Sequence, residues 1–268
     1  GGAQQWMAVD HDAALLRHWP LALASASPAA PGSPVPFQGR SLDRPLQFRG
    51  LGFHADIVRC RLDLAEALET LPWPDVQLVT GSALLDLPGA DWLERLAAAT
   101  AQAGAALLMA LSVDGRHRWG PVDVDDDAVG ALFAAHQRRD KGFAGPALGP
   151  AGAPALARAL RRCGYRVHSA RSDWVLDGGS RSVSESGSPL ALQRALIDGM
   201  AGAAVEQSAA SEVRVRAWQQ RRQALAARTV LRVGHIDLLA FPPAQPLVAG
   251  QAGDPPPVDT ALRSRSHN

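Results

Sequence analysis

Four clusters of polar residues each follow an apolar segment, and their residue types suit ligand binding or catalysis. They are Asp10-His11-Asp12, Asp63, Thr80-Gly81-Ser82 and the segment DGRHRW at 114–119. Carboxylates accept hydrogen bonds, hydroxyl groups donate and accept them, and histidine exchanges protons near neutral pH. An apolar run that ends in polar residues is typical of a buried strand with a ligand site at its carboxyl end. We therefore expect the four clusters to share one edge of a sheet.

The first two clusters each have two interpretations. Asp10 can accept hydrogen bonds from both hydroxyl groups of a ribose, because a carboxylate takes two donors side by side. It can equally cap the helix that follows. Asp63 can accept a hydrogen bond from the exocyclic amine of an adenine while Leu64 packs on the ring. Asp63 also stands where it would cap the short helix AEALETL.

The other two clusters also have two interpretations each. Thr80-Gly81-Ser82 combines two hydroxyl groups with a close backbone approach, but it also fits a tight strand-to-helix turn. Asp114, Arg116, His117 and Trp119 supply an acid, a base and an aromatic wall for a substrate pocket, or they form a polar surface loop.

Two further histidines stand apart from these clusters. His136 falls on the apolar face of a helix and His235 within an apolar strand, so both patterns favour structural histidines. The histidines show no HExxH or comparable spacing, and we expect no metal site.

The elements that must position these residues alternate along the chain. We predict strands near 6–9, 57–62, 76–80 and 105–113, then GYRVHSA and TVLRVGHIDLLAF, with helices between them. This alternation predicts a mostly parallel sheet with both faces covered. Residues 20–50 are rich in Ala, Ser and Pro and are expected to form a long surface connection. Residues 243–268 are expected to form a flexible tail.

Composition narrows the class of protein. The 268 residues suffice for one large α/β domain or two small ones, and 47% of them are hydrophobic. A net charge of +1 gives no reason to expect nucleic acid or a membrane surface as partner. Two distant cysteines argue against a disulfide framework, and the sequence shows neither a signal peptide nor a long apolar run. We expect a cytoplasmic protein.

The order of these segments resembles that of a class I S-adenosylmethionine-dependent methyltransferase over about residues 5–241. WMAVDHD resembles the second strand of that family with its ribose-binding acid, and RCRLDLAE resembles the third. DVQLVTGSALLDL, AALLMALSVDG, GYRVHSA and VLRVGHIDLLAF resemble the fourth to seventh strands. The resemblance implies an α/β domain at residues 1–242, with a Rossmann-like, mostly parallel seven-stranded sheet flanked by helices.

The resemblance also implies roles for individual residues. The cofactor S-adenosylmethionine would contact Asp10, His11, Asp63, Leu64, Thr80, Gly81 and Ser82. The acceptor pocket would include Asp86, Asp114, His117 and Trp119, with the loop from His136 to Phe143 as a cover. The acceptor is expected to be a small molecule, with His117 or Asp114 as general base where one is needed.

The sequence departs from the family pattern in two ways. The first strand and its glycine-rich loop are not found, so we expect them upstream in the natural protein or on another chain. Residues 188–228 form a helical insertion before the last strand, which can serve as a lid, a homodimer surface or part of the acceptor site. Because of these departures, the chain can also be interpreted as a non-catalytic binding or scaffold subunit. A nicotinamide-dependent oxidoreductase is disfavoured, because the only tyrosine, Tyr165, lies in no Tyr-x-x-x-Lys pair.

Overall fold

The computed structural model describes residues 2–18, 45–50, 52–180 and 188–243, and the description below is confined to them. Most of the expected connection at 20–50 and nearly all of the expected tail at 243–268 lie outside the described residues. Two β-sheets of three and five strands form the framework.

The first sheet has the strand order β1-β3-β2. Its strands are β1 (Ala3–Asp10), β2 (Leu46–Gly50) and β3 (Phe53–Arg61). β1 runs parallel to β3, whereas β2 and β3 form an antiparallel hairpin. A helix, α1 (residues 13–18), follows β1 and begins where the Asp12 carboxylate accepts the Ala14 N–H at 2.6 Å. β2 falls in the segment that we expected to be a surface connection, so that expectation is wrong at its carboxyl end.

The second sheet has the order β4-β5-β8-β6, with β7 also paired to β8. Its strands are β4 (Leu78–Ser82), β5 (Ala106–Gly120), β6 (Arg166–Arg171), β7 (Trp174–Asp177) and β8 (Val230–Phe241). Only the β4–β5 pair is parallel in this sheet, because β8 runs antiparallel to β5, β6 and β7.

The prediction of a Rossmann-like, mostly parallel seven-stranded sheet is wrong. The described strands form two mixed sheets, and most of their pairings are antiparallel. An apolar run predicts that a strand is buried, but strand direction depends on distant pairing partners that local periodicity does not reveal. The strand β5 also continues through DGRHRW to Gly120, because residues 117–120 pair with residues 230–233 of β8.

Two helices, α3 (Ala90–Ala103) and α5 (Gly152–Arg162), cover one face of the second sheet, which we call its inner face. The other helices that follow α1 in the described residues are α2 (Leu64–Ala67), α4 (Asp126–Gln137), α6 (Pro189–Gln207) and α7 (Glu212–Leu225). α3 and α5 bury Leu107, Met109, Leu238 and Ala240 of the sheet. α3 ends at Gly104, which adopts a left-handed backbone with φ of 62°.

The opposite face of this sheet, its outer face, is apolar and accessible. Leu78, Leu108, Leu239 and Phe241 are each 37–39% exposed. They lie in adjacent rows, since Leu108 pairs with both Thr80 and Leu239 in the strand register. The expectation that helices cover both faces is therefore not met by the part of the chain that the structure describes.

A second core lies where α4, α6 and α7 pack on the far halves of β5 and β8. The rings of Trp119 and Trp218 meet edge to face there, with centroids 6.0 Å apart. Arg222 is fully buried, and its guanidinium lies 4.7 Å from the Trp119 ring centroid. Asp126 neutralises this cation, accepting from Arg222 Nε at 2.9 Å and from Trp218 Nε1 at 2.8 Å.

Removing the Asp126 carboxylate leaves a buried cation without its partner. We expect Asp126→Ala to lower the free energy of unfolding by about 3–5 kcal/mol, the usual effect of breaking a buried ion pair. The matched control is Asp127→Ala, because Asp127 is exposed on the same helical turn. Urea denaturation of both variants tests this, and equal effects of the two substitutions would contradict the role of Asp126.

The neighbouring Asp123 predicts an acid-sensitive contribution to stability. Arg221 donates to its carboxylate at 2.7 and 2.8 Å, which lowers the pKa of Asp123 to about 2. A carboxyl whose pKa falls on folding stabilises the fold above its ordinary pKa, and the effect disappears as pH falls towards the folded value.

We therefore expect wild type to lose stability relative to Asp123→Asn between about pH 4 and pH 2. Urea unfolding midpoints measured across this range provide the test. Parallel pH profiles for the two proteins would show that the Asp123–Arg221 pair contributes nothing.

Candidate functional site

A groove of about 750 Å³ lies between the first sheet and β4, and we call it the β1–β4 groove. Its lining is mostly apolar and includes Trp6, Ala8, Asp10, Ile57, Thr80 and Ser82. Side chains from α1 also line it, so three separate segments of the chain bound one cavity. The groove joins two of the four polar clusters predicted to share a site.

Asp10 ends β1 at this groove and leaves one carboxylate oxygen available. Its Oδ1 accepts the Asp12 N–H at 2.8 Å, which fixes the turn into α1. The side chain is 37% exposed, and within the described segments Oδ2 has no hydrogen bond. His11 lies beside it, with Nδ1 3.5 Å from Asp10 Oδ1, but its 79% exposed side chain is not part of the lining. Asp10 therefore fixes the local turn and still presents one acceptor to the groove.

Thr80, Gly81 and Ser82 form the end of β4 rather than a turn. Thr80 and Ser82 point to the outer face, whereas a Cβ on Gly81 would lie 2.9 Å from Met109 Sδ on the inner face. Glycine therefore leaves room here for the Met109 side chain, an interpretation that the sequence did not suggest.

Two strained residues lie beside this strand end. Ala83 has a φ of 52°, and its N–H donates to the Ala110 carbonyl of β5. The next residue of β5, Leu111, has a φ of 54°, and its N–H donates to Asp237 Oδ1 at 2.9 Å. Left-handed backbone at non-glycine residues costs energy and concentrates at functional sites. Its occurrence just after β4 and at the neighbouring register shift inside β5 marks this region as a candidate site.

Asp63 and Leu64, predicted to contact adenine, lie away from the groove lining. The Asp63 carboxylate accepts the Ala65 N–H at 2.9 Å and caps α2. Leu64 packs against the inner-face core, and its carbonyl accepts a hydrogen bond from Trp92 Nε1 at 2.6 Å. Of the two interpretations of Asp63, the observed geometry is that of a helix cap.

A second polar group, the Arg116 cluster, lies where β5, β7 and β8 meet. Its members are Asp114, Arg116, Asp173 and Arg232. The guanidinium of Arg116 bridges Asp114 Oδ2 at 2.6 Å and both oxygens of Asp173 at 2.7 and 3.1 Å. This contact lowers the pKa of Asp173. Because the Asp114 carboxylate is committed to Arg116, it is poorly placed to act as a general base.

Asp86 and His117 both interact electrostatically with His235. Burial raises the pKa of Asp86, an effect that a backbone hydrogen bond and the interactions with His235 and Lys141 oppose. Burial also lowers the pKa of His117, whose ring meets Phe133 edge to face at 5.6 Å. His235 is itself buried, with Nδ1 3.1 Å from the Val233 carbonyl. Burial therefore shifts the pKa of both the Asp86 carboxyl and the His117 imidazole towards the neutral form, and such shifts are common at catalytic sites.

Trp119, His136 and Phe143 do not join either group. Trp119 is 7% exposed in the core between Trp218 and Arg222. His136 Nε2 lies 2.9 Å from Glu206 Oε2 and links α4 to α6. Phe143, expected to belong to a cover, packs on Trp92 with ring centroids 5.0 Å apart.

Sequence reasoning set His235 aside as structural and did not identify Ser112. The Ser112 side chain is buried in β5, and its Oγ has no hydrogen-bond partner within the described residues. The sequence did offer one signal for His235, because a histidine next to a glycine inside a strand is a candidate for a functional role. Ser112 lies inside a continuous apolar run and gave no signal.

The comparisons with known proteins do not assign this site. No protein-family model matches the chain, and a search of curated proteins finds no match. In the described ranges, no group of three or more His, Cys, Asp or Glu residues is arranged to hold a metal ion. No helix among the described residues is long and apolar enough to cross a membrane.

Gly234 allows the Arg116 cluster to form. A Cβ at this position would lie 2.1 Å from Asp114 Oδ1 and 2.8 Å from Arg116 Nε. We expect Gly234→Ala to lower the free energy of unfolding by about 1–3 kcal/mol, the usual cost of overpacking. The control is Gly130→Ala in α4, where nothing lies within 4 Å and stability should rise by about 0.5–1 kcal/mol. Thermal denaturation compares the two, and an unchanged Gly234→Ala protein would contradict the packing argument.

Proposed function

We propose that the chain is an S-adenosylmethionine-dependent methyltransferase that acts on a small molecule. One observation carries the proposal: Asp10 at the end of β1 and Ser82 at the end of β4 border the same largely apolar groove. The sequence resemblance assigns these strand ends to the ribose and methionine sides of the cofactor. The family resemblance suggests the cofactor, and the shared groove at these two strand ends supports its binding there.

The groove suits a ligand with a nucleoside part. Its volume of about 750 Å³ is within the usual range of small-molecule sites. Trp6, Ala8 and Ile57 offer apolar contact for a base, while Asp10 Oδ2 can accept a hydrogen bond from a ribose hydroxyl group. Thr80 and Ser82 add hydroxyl groups on the opposite wall.

The chemistry requires a dry acceptor site next to the groove and, for some acceptors, a base. Bound S-adenosylmethionine supplies an electrophilic methyl group. His117 is the preferred base, because its lowered pKa keeps the imidazole neutral and able to accept a proton near pH 7. Asp86, a carboxyl whose pKa is raised by burial, can accept a hydrogen bond from the acceptor.

A non-catalytic binding or scaffold subunit is the second candidate. The position of Asp63 favours it, because the carboxylate predicted to contact adenine caps α2 instead. Cofactor binding separates the two candidates, since a scaffold subunit has no need of the methyl donor.

Isothermal titration with S-adenosylhomocysteine tests the proposal on the full chain. Asp10→Asn keeps a carbonyl oxygen for the Asp12 N–H but replaces the anionic acceptor by an amide. We expect its dissociation constant to rise by about tenfold or more, since a hydrogen bond to a charged group contributes about 1.5–3 kcal/mol.

The matched control is Asp12→Asn, which keeps the cap of α1 and lies outside the groove lining. Its affinity should equal that of wild type. No detectable binding by wild type would remove the methyltransferase proposal, and equal losses in both variants would remove Asp10 from the site.

A further inference from the structure

A second cavity, of about 360 Å³, lies on the first sheet, and we call it the Asp56 pocket. Asp56 pairs with Gln5 of β1 and with Gln47 of β2, so these three side chains form one row across the sheet. Ile57 and Leu46 of the next row point to the opposite face, where they belong to the small apolar core of this sheet. The polar row therefore faces away from that core. The pocket is lined by Gln5, Trp6, Pro45, Gln47, Asp56 and Val58.

The carboxylate of Asp56 has no hydrogen-bond donor among the described residues. Its Oδ1 is shielded from solvent and makes no hydrogen bond within them. Its Oδ2 lies 3.9 Å from Nε2 of His54, which is beyond hydrogen-bond distance. A shielded carboxylate oxygen without a donor is unfavourable, because it has lost contact with water and gained no partner in exchange. The side chain is 37% exposed and its terminal torsion is soft, so a small rotation turns both oxygens into the pocket.

The row of three acceptors fits a guanidinium cation better than a compact ammonium. Adjacent strands are about 4.8 Å apart, so the carboxamides of Gln5 and Gln47 lie on either side of the central carboxylate. A guanidinium is planar and has five N–H donors. Two of them can bind a carboxylate side by side, and the others point outwards to the carboxamide oxygens. An ammonium has three donors on one atom and reaches fewer of these groups. Val58 and Pro45 add apolar contacts for an alkyl chain.

We propose that the Asp56 pocket binds an alkylguanidinium group, with Asp56 as the anionic partner and Gln5 and Gln47 as flanking acceptors. The group can belong to a free small molecule or to an arginine side chain of another protein, since both present the same cation on the same alkyl stem. None of these three residues lines the β1–β4 groove. The proposal is therefore independent of the proposed methyltransferase activity, and either can fail alone.

Titration of the full chain with n-butylguanidinium, followed by NMR chemical shifts, tests the proposal. Saturable shifts should appear at the side-chain amides of Gln5 and Gln47 and at the backbone amides of Asp56 and Val58. The analogue n-butylurea has nearly the same shape without the charge, so it should bind about tenfold more weakly or worse. The analogue n-butylammonium has the charge without the planar fork and should also bind more weakly. Equal binding of either analogue, no saturable binding, or shifts of equal size around other surface carboxylates would overturn the proposal.

Asp56→Asn removes the anion of the pocket, and Asp75→Asn is its matched control. Asp75 is exposed and lies outside the lining, so both variants change the net charge equally. The dissociation constant for n-butylguanidinium should rise about tenfold or more in Asp56→Asn, because hydrogen bonds to charged groups are the stronger ones, and stay at the wild-type value in Asp75→Asn. Gln47→Met keeps the side-chain length without the acceptor and should weaken binding about two- to tenfold. Wild-type affinity in Asp56→Asn or in Gln47→Met would overturn the proposal.

Two arginines of the chain itself, Arg44 and Arg49, lie near Gln47 in the sequence and are the competing source of the cation. Binding of n-butylguanidinium that appears only when both are replaced by glutamine would mean that the chain fills its own pocket, and this result would also overturn the proposal. The blocked tripeptide acetyl-Gly-Arg-Gly-amide distinguishes the two external sources. Tighter binding of the tripeptide than of n-butylguanidinium supports an arginine of a partner protein, whereas weaker binding supports a free small molecule, and both results support the proposed site.

Discussion

The need to pair backbone N–H and C=O groups is the constraint on which the rest of this structure depends. Within each sheet the need is met by neighbouring strands, but no other strand of the described residues pairs with the outer edge of β1 or of β4. A buried unpaired backbone group costs about as much as a lost hydrogen bond, so such edges must stay accessible or acquire a partner. The groove between them, its exposure and its capacity for a ligand follow from this arrangement.

The strand β8 links the remaining parts of the molecule. Leu238 and Ala240 at one end belong to the core under α3 and α5, whereas Leu231 and Val233 at the other end belong to the core under α4, α6 and α7. Between these ends the register with β5 shifts twice, from Met109 to Ser112 and from Val113 to His117. The Arg116 cluster and the strained Leu111 lie in this irregular region. One long strand thus joins two cores and places the polar groups where its pairing is interrupted.

Local sequence signals predicted the elements better than their assembly. The apolar runs of β1, β4 and β5 and the possible cap at Asp63 were evident in the sequence, because each depends on neighbouring residues. Strand direction was not, since the pairing of β8 with β5 joins residues more than a hundred positions apart.

The candidate site shows the same difference between local signals, which the sequence reveals, and long-range contacts, which it does not. The sequence placed Asp10 and Ser82 at strand ends, and the structure brings both to one groove. Asp63 has the same local pattern, yet its carboxylate is used by α2. Trp119 stands next to charged residues in sequence but is buried against Trp218, because β5 continues as a strand through this segment. Chemical type and spacing therefore identified candidates, and tertiary contacts decided among them.

Among the described residues, the outer edges of β1 and β4 have no strand partner, and both edges border the β1–β4 groove. Amide hydrogen exchange of the chain alone, resolved by residue, tests this claim most directly. Met7, Val9, Thr80 and Ser82 should exchange far faster than Ala8 and Gly81, whose N–H groups are bonded to β3 and β5. Uniformly slow exchange along both strands would show that the two edges are already paired and would contradict the account.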